Sequence, residues 1–156
     1  VVGFDLRGRS GWWAVHSGIG AIRFADPVQA DHGGGVMLTL PPTVRVFLCL
    51  TPADMRRSLD GLAALTREVL REDPLSGHLF VYFNRRRDRV KILFWDRSGL
   101  CLYYKRLEKG TFRLSAFEDP ASPRAEIESA ELALILEGIE LADAKRRPRF
   151  VPRRIA

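Results

Sequence analysis

Three apolar runs separated by short turns constrain the fold of this chain more than any other feature. The runs cover residues 78–83, 89–96 and 100–107. β-Branched and aromatic side chains recur in them, and the intervening segments 84–88 and 97–99 have the length and polar composition of β-hairpin loops. We therefore predict three consecutive antiparallel strands, followed by a short fourth strand at residues 111–114.

A buried strand and a long helix are predicted before this sheet. Residues 43–50, TVRVFLCL, form an apolar run of strand length that is rich in β-branched side chains. Thr51 then suits a helix N-cap, Pro52 suits the first helical position, and Asp54 can bond back to the cap. Apolar residues recur at helical spacing after these three, so we predict a helix over residues 52–71.

A second helix is predicted after the sheet. Residues 118–124 are polar, contain two prolines and are typical of a linker. Residues 128–141 carry an apolar stripe at helical spacing, formed by Leu132, Ile135, Leu136 and Ile139. The predicted fold class is therefore α+β, a small antiparallel β-meander packed on one long helix, with a second C-terminal helix.

The two ends of the chain differ from this patterned region. Residues 1–36 are rich in glycine and lack sustained periodicity, and the first methionine, Met37, stands where the pattern begins. We expect residues 1–36 to lie outside the domain, either as a genuine extension or as a leader upstream of a natural start at Met37. Residues 37–142 form one predicted domain, and the basic residues 143–156 form a predicted disordered tail.

The alternation of side chains along strands predicts what each face of the sheet does. With a five-residue first loop, an apolar face lies against the long helix and comprises Phe80, Tyr82, Val90, Ile92, Phe94, Leu102 and Tyr104. The other face interleaves cations with aromatic rings, at Arg89, Lys91, Trp95, Tyr103 and Lys105. Such a face suits nucleic acid, because cations meet phosphates and rings stack on bases. Alternatively, the C-terminal helix covers Leu79, Val81 and Leu93 on this face, and the cations lie at a solvated edge.

Charge is segmented along the chain, whose net charge is +6. Residues 145–156 hold six Lys or Arg and no acid, residues 78–115 sum to +7, and residues 116–144 sum to −7. We therefore expect the tail and the middle of the chain to be attracted to polyanions. The predicted nucleic-acid contacts are Arg85, Arg86, Arg87, Arg89, Lys91, Trp95, Lys105, Arg106, Lys145, Arg146, Arg147, Arg149, Arg153 and Arg154.

The motifs that would indicate catalysis, a metal or a cofactor are missing from the sequence. Its three histidines are isolated, and phosphate-loop, dinucleotide-binding and GxSxG motifs are absent. Cys49 and Cys101 lie in apolar runs, which is typical of buried thiols in a reducing, cytoplasmic compartment. A two-metal nuclease is the enzyme alternative, with Asp54, Asp60, Asp88 and Asp96 as its candidate ligands. Capping and turn roles account for most of these acids, so we predict no catalytic residue, metal or cofactor.

Five segments of the chain together resemble a known family. They are DMRRSLDGL at 54–62, DPLSGHLFV at 73–81, DRVKILFWD at 88–96, GLCLYYKRLEKG at 99–110 and LILEGI at 134–139. In this order and spacing they resemble the TnpB accessory proteins of the insertion-sequence-66 transposons, over roughly residues 38–141. Two positions depart from the family pattern, since the loop at 84–87 lacks a glycine and Glu140-Leu141 replaces an Asp-Trp pair.

The resemblance implies a small, non-catalytic protein that is encoded beside a large transposase and supports transposition. Strand-transfer chemistry would belong to the large partner, so no catalytic residue is carried over to this chain. Two functions follow as hypotheses. The first is an accessory module that binds DNA and the large transposase, and the second is an adaptor of the transposase complex without direct DNA contact. Neither a membrane nor a small-molecule substrate is expected as a partner.

Overall fold

The computed structural model describes residues 40–41 and 43–139, together with the backbone of residues 14–15 and 22–23. These two short segments form strands β1, Ala14–Val15, and β2, Ile22–Arg23, which pair antiparallel. The other residues of the predicted leader, and the whole predicted tail at residues 143–156, lie outside the described residues. The predicted domain boundaries therefore stay predictions.

Residues 43–139 form a five-stranded sheet and two helices, which confirms the predicted α+β class. The strands are β3 Val46–Cys49, β4 Leu79–Phe83, β5 Arg89–Asp96, β6 Gly99–Arg106 and β7 Arg124–Ile127. Helix α1 covers Leu59–Leu65 and continues as a π-helical turn, Thr66–Leu70, and helix α2 covers Ser129–Glu137. A 3-10 turn, Ser115–Phe117, lies between β6 and β7. No helix in this part of the chain is long and apolar enough to cross a membrane.

The sheet is mixed, with the strand order β6-β5-β4-β3-β7. Strands β4, β5 and β6 form the predicted antiparallel meander. Strand β3, which was predicted as a buried strand, pairs parallel with β4 and antiparallel with β7. The prediction of a purely antiparallel sheet is therefore wrong, because the connection through α1 returns the chain in the same direction. Strand β7 begins at the last residue of the predicted linker.

Residues 111–114 fill the core and do not extend the sheet, so the strand predicted there is wrong. The Phe112 N–H donates to the Arg87 carbonyl oxygen at 2.7 Å, which ties this segment to the β4–β5 turn. Phe112 and Leu114 are only 1% and 3% exposed. The Phe112 ring lies 5.4 Å from the Phe83 ring, centroid to centroid. The alternating apolar residues predicted a strand, but Phe112 and Leu114 are buried in the core although their segment pairs with no strand.

The first hairpin differs from its prediction by one residue of register. Phe83 pairs with Val90, whereas a five-residue loop would pair Phe83 with Arg89. Asn84 accounts for this register, because its Oδ1 accepts the N–H groups of Asp88 at 3.1 Å and Arg89 at 3.0 Å. Its own N–H donates to the Arg89 carbonyl oxygen at 3.2 Å. A slip of one residue moves each side chain of the paired strand to the opposite face of the sheet.

The second hairpin differs by one residue of register in the opposite direction, since Asp96 pairs with Gly99 across a two-residue turn, whereas a three-residue loop would pair it with Leu100. Together the two differences shift β6 by two residues relative to β4, which leaves its side chains on the predicted faces. Leu102 and Tyr104 therefore lie on the same face as Phe80 and Tyr82, as predicted. The placement of β5 is wrong, because Val90, Ile92 and Phe94 lie on the opposite face.

Each face of the sheet carries its own apolar core. On the α1 side the buried residues are Phe47, Cys49, Ala53, Leu62, Ala63, Leu70, Phe80, Tyr82 and Leu93. On the α2 side they are Val46, Leu48, Leu79, Val81, Phe83, Val90, Ile92, Phe94, Phe112, Leu114, Ile127, Leu132, Ile135 and Leu136. Complete burial of one large apolar side chain contributes roughly 1.5–3 kcal/mol to stability. The two faces together therefore account for the stability of the domain.

Helix α1 is shorter than predicted, with 12 residues from Leu59 to Leu70, and the predicted start at Pro52 is wrong. Residues 52–58, which precede α1, are hydrogen-bonded to the end of the sheet. These hydrogen bonds prevent the segment from forming a helix. The Ala53 N–H donates to the Phe83 carbonyl oxygen at 2.8 Å, and Lys91 Nζ donates to the Arg57 carbonyl oxygen at 2.7 Å.

Helix α2 agrees more closely with its prediction. It begins after Glu128, whose N–H donates to the Glu131 carboxylate at 2.8 Å in a capping box, and it ends at Gly138 in the left-handed region at φ 79°. Leu132, Ile135 and Leu136 are buried as the stripe predicts. Ile139 follows the end of the helix and is 48% exposed.

The packing of α1 predicts unequal effects for two leucines on the same helix. Leu62 is fully buried and Leu59 is 36% exposed. We expect Leu62→Ala to lower the free energy of unfolding by about 2–5 kcal/mol, because it leaves a cavity between helix and sheet. Leu59→Ala is the matched control and should cost less than about 1 kcal/mol. Urea denaturation measures both, and equal losses would contradict the orientation of α1.

Candidate nucleic-acid interface

Several cations meet at the end of the sheet where β4 turns into β5 and β6 ends. Arg89 pairs directly with Arg106 across the β5–β6 ladder. Residues 107–113 fold against the same turn, because the Leu107 N–H donates to the Asp88 carbonyl oxygen at 2.8 Å and the Phe112 N–H donates to that of Arg87. We define the basic end by the cations of this region, namely Arg85, Arg86, Arg87, Arg89, Arg106, Lys109 and Arg113.

The turn that carries three of these arginines is held by a short network of hydrogen bonds. Besides its backbone bonds, Asn84 donates from Nδ2 to Asp88 Oδ1 at 2.5 Å. This hydrogen bond, with smaller help from the charge of Arg86, lowers the pKa of Asp88 below its usual value. Arg87 occupies the left-handed region at φ 56°, which completes the turn. Arg85 and Arg86 are consequently presented from an ordered turn, and both are exposed.

Acidic neighbours neutralise part of the basic end. Arg87 forms an ion pair with Glu118, and Arg106 forms one with Glu108 at 2.8 Å. Arg86 is 3.9 Å from Asp88, which is a long and weak pair on an exposed side chain. Within the described part of the chain, the other cations of the basic end, Arg85, Arg89, Lys109 and Arg113, form no ion pair.

Lys91 is a predicted contact that the structure places in the interior. It is 8% exposed, and its ammonium lies 5.3 Å from the centre of the Tyr104 ring while it donates to the Arg57 carbonyl oxygen. Burial lowers the pKa of Lys91 below its usual value. Lys91 therefore joins the segment before α1 to the sheet.

Lys105 and Trp95 are also placed away from an open face. Lys105 Nζ donates to the Leu136 carbonyl oxygen at 2.9 Å and so caps the last turn of α2, where a cation is favoured. Trp95 pairs with Leu100 on β6 and is partly buried. The register places Arg89, Lys91 and Trp95 on the α1 side, whereas Tyr103 and Lys105 lie on the α2 side.

The predicted face of interleaved cations and rings is therefore wrong, because its members are divided between two faces. The alternative interpretation is partly confirmed, since Leu79 and Val81 pack in the core on the α2 side. Leu93 lies in the other core, against α1. What remains of the predicted surface is the basic end, including Arg85, Arg86, Arg87, Arg89 and Arg106.

Sequence reasoning missed Lys109 and Arg113 as members of the basic end. The sequence held a sign of Arg113, because it lies between two apolar residues, Phe112 and Leu114. Both are buried, and Arg113 between them is exposed. The tail cations, Lys145, Arg146, Arg147, Arg149, Arg153 and Arg154, lie outside the described residues. Ile139, the last described residue before them, lies three residues beyond Leu136, whose carbonyl oxygen accepts from Lys105.

Three of the four acids considered for a nuclease, Asp54, Asp88 and Asp96, have local partners, and Asp88 bonds to Asn84 as described above. Asp54 accepts from the N–H and guanidinium of Arg56, and these hydrogen bonds lower the pKa of Asp54 to about 2. Asp96 accepts the N–H and hydroxyl of Ser98, both at 3.1 Å, inside the β5–β6 turn. Among residues 40–41 and 43–139, no three His, Cys, Asp or Glu side chains form a group that could hold a metal ion.

The fold and this surface define a class of protein, a small α+β domain with a basic end formed by a hairpin turn and the segment after β6. The sequence profile of a family described as IS66 Orf2 like protein matches residues 44–146. The chain belongs to this family, which confirms the resemblance to TnpB of the insertion-sequence-66 transposons. Membership implies an accessory role in transposition of these elements.

Two proteins of Sinorhizobium fredii (strain NBRC 101917 / NGR234) are similar to this chain. The uncharacterized protein y4jC is 34% identical over 113 residues, which cover 72% of this chain and 94% of that protein. The uncharacterized protein y4hO is 36% identical over 104 residues, which cover 67% of this chain and 88% of that protein. No solved structure matches the chain at a significant level.

The role of Asn84 in the turn yields a second testable prediction. Asn84→Ala removes the acceptor for two backbone N–H groups, so we expect the free energy of unfolding to fall by about 1–3 kcal/mol. Arg85→Ala, one residue along the same turn, is the control and should change stability by less than about 0.5 kcal/mol. Urea denaturation measures the difference, and an Asn84→Ala protein as stable as the control would exclude this role.

Proposed function

We propose that the protein is a non-catalytic accessory factor for transposition that binds DNA electrostatically through its basic end and its tail. The observation that carries this proposal is the convergence of seven cations, from two separate stretches of sequence, at one end of the sheet. Phosphate contacts of this kind supply affinity without requiring a base sequence. We therefore expect weak sequence preference.

The placement of the last turn of α2 supports cooperation between the tail and the basic end. Ile139 follows closely on Leu136, whose carbonyl group is bonded to Lys105 beside Arg106. Lys145 is six residues further along the chain, a distance of about 20 Å at most. The tail cations can thus reach the phosphates that contact the basic end, or those of the next few base pairs.

An adaptor that binds the large transposase without touching DNA is the second candidate function. The ion pairs from Arg87 to Glu118 and from Arg106 to Glu108 favour it, because they offset part of the positive charge at the basic end. Phosphate binding and apolar docking respond differently to salt. The logarithm of DNA affinity falls linearly with the logarithm of salt concentration, by about 0.9 per phosphate contact.

The first test of DNA binding compares two double variants of equal net charge. Arg85→Ala/Arg86→Ala removes two exposed cations of the basic end, and Arg67→Ala/Arg97→Ala removes two exposed cations from α1 and from the turn between β5 and β6. We expect the first variant to reduce the salt slope of binding to a random-sequence duplex by up to about 2, because each lost contact removes about 0.9. The second should leave the slope unchanged in fluorescence anisotropy titrations.

The outcomes of this comparison separate the two functions. Equal losses in both variants would show that binding follows net charge alone and would reject the basic end as an interface. Absence of DNA binding by the unaltered protein at low salt would reject the proposal and favour the adaptor.

The second test removes the tail. Deletion of residues 145–156 takes away six cations, so we expect the salt slope to fall by about 5 at most. The residual binding should then weaken further in the Arg85→Ala/Arg86→Ala background, on any DNA sequence. Tight binding that survives both changes would contradict an electrostatic interface.

A further inference from the structure

Strand β6 is an outer strand of the sheet, and half of its backbone groups point away from β5. The Leu107 N–H bond to the Asp88 carbonyl oxygen continues the β5–β6 ladder by one residue pair. Hydrogen-bonded pairs alternate with non-bonded pairs in an antiparallel ladder, so the odd-numbered residues of β6 bond to β5. The N–H and C=O groups of Leu100, Leu102 and Tyr104 therefore point outward and have no partner in the described part of the chain.

This edge lacks most of the features that prevent edge-to-edge pairing. Strand β6 has eight residues in continuous register, without proline or bulge, and only its last two, Lys105 and Arg106, are charged. The other outer strand, β7, has four residues and carries exposed Arg124 and Glu126. Short length, charge, proline and bulges are the usual protections of an edge strand. Of the two edge strands, β6 is therefore better suited than β7 to form hydrogen bonds with a further strand.

The side chains along this edge are apolar and accessible. Leu100 and Leu102 are partly buried against the core on the α1 side, and Tyr104 is 39% exposed. Because these residues alternate along β6, all three lie on the same face. A strand added at this edge would extend that apolar face.

We propose that β6 pairs antiparallel with β6 of a second copy of this chain, around a two-fold axis through Leu102. Two strands can bond only where both turn their N–H and C=O groups outward, so even-numbered residues must pair with even-numbered residues. With Leu102 opposite itself, Leu100 faces the partner's Tyr104, and apolar side chains meet throughout. Moving the axis to Tyr103 would place Arg106 opposite Leu100. Moving it to Cys101 would place Tyr104 opposite Ser98, in the turn between β5 and β6. The result is a continuous ten-stranded sheet with an isologous interface.

Charge favours a second copy over the other segments that could cover this edge. The tail would bring six further cations beside Lys105 and Arg106, and the two short strands of segment 1–36, β1 and β2, pair with each other in a separate sheet. In the antiparallel pair, Lys105 faces the partner's Gly99. The cationic ends of the two strands are then about 20 Å apart, so that their repulsion is small.

The first experiment measures the mass of the full-length protein by sedimentation equilibrium without DNA. We expect a reversible dimer, and we expect Tyr104→Lys to weaken it at least about tenfold, because the ammonium would face an apolar side chain. Leu75→Lys is the matched control, since Leu75 is 46% exposed in the turn before β4 and the change in charge is the same. A monomer at all concentrations up to about 1 mM, or equal effects of the two variants, would overturn the proposal.

The second experiment tests the register. Leu102→Cys, in a Cys101→Ser background, should form an intermolecular disulfide under mild oxidation, because Cα atoms of a hydrogen-bonded pair lie about 5.5 Å apart. Leu100→Cys in the same background should not, since its Cα would be about 14 Å from the partner's Leu100 position. Cys49 is buried, and burial raises its pKa to about 11, so it should not interfere. Equal cross-linking at both positions would reject the two-fold axis through Leu102.

Discussion

The burial of β3 on both faces of the sheet is the constraint on which the rest of the structure depends. All four of its residues are at most 1% exposed. Val46 and Leu48 enter the core on the α2 side, while Phe47 and Cys49 enter the core on the α1 side. Because β3 pairs with β4 and β7, it sets the position of the meander on one side and of α2 on the other.

Local patterns were sufficient to predict the elements whose partners are close in sequence. The meander follows from three apolar runs and two turns, and the buried stripe of α2 follows from its spacing. Strand β7 could not be found in this way, because its four residues alternate charged and apolar and its partner β3 lies about 80 residues away. The start of α1 was missed for a related reason, since bonds from Ala53 and Lys91 to distant residues override a plausible capping sequence.

For the candidate site, too, features set by local sequence were predicted correctly and features set by distant contacts were not. The arginines of the β4–β5 turn were predicted in an exposed loop, and they occupy one. The functional assignment of Lys91 and Lys105 failed because both ammonium groups satisfy backbone carbonyl oxygens. One side-chain amide, that of Asn84, stabilises the register that places Lys91 on the α1 side, and composition does not reveal such a bond. A count of cations therefore overestimates the surface available to a polyanion.

The pairing order of the sheet also governs how the chain can fold during synthesis. The interior strand β3 is the first of the five to leave the ribosome, whereas its neighbour β7 is the last. Until residues 124–127 emerge, one side of β3 has no strand partner and the α2 side of the sheet lacks its helix. Contacts between residues so distant in sequence close slowly, and apolar surface left open meanwhile invites association. The fold therefore cannot close on either side of β3 before most of the chain has been synthesised.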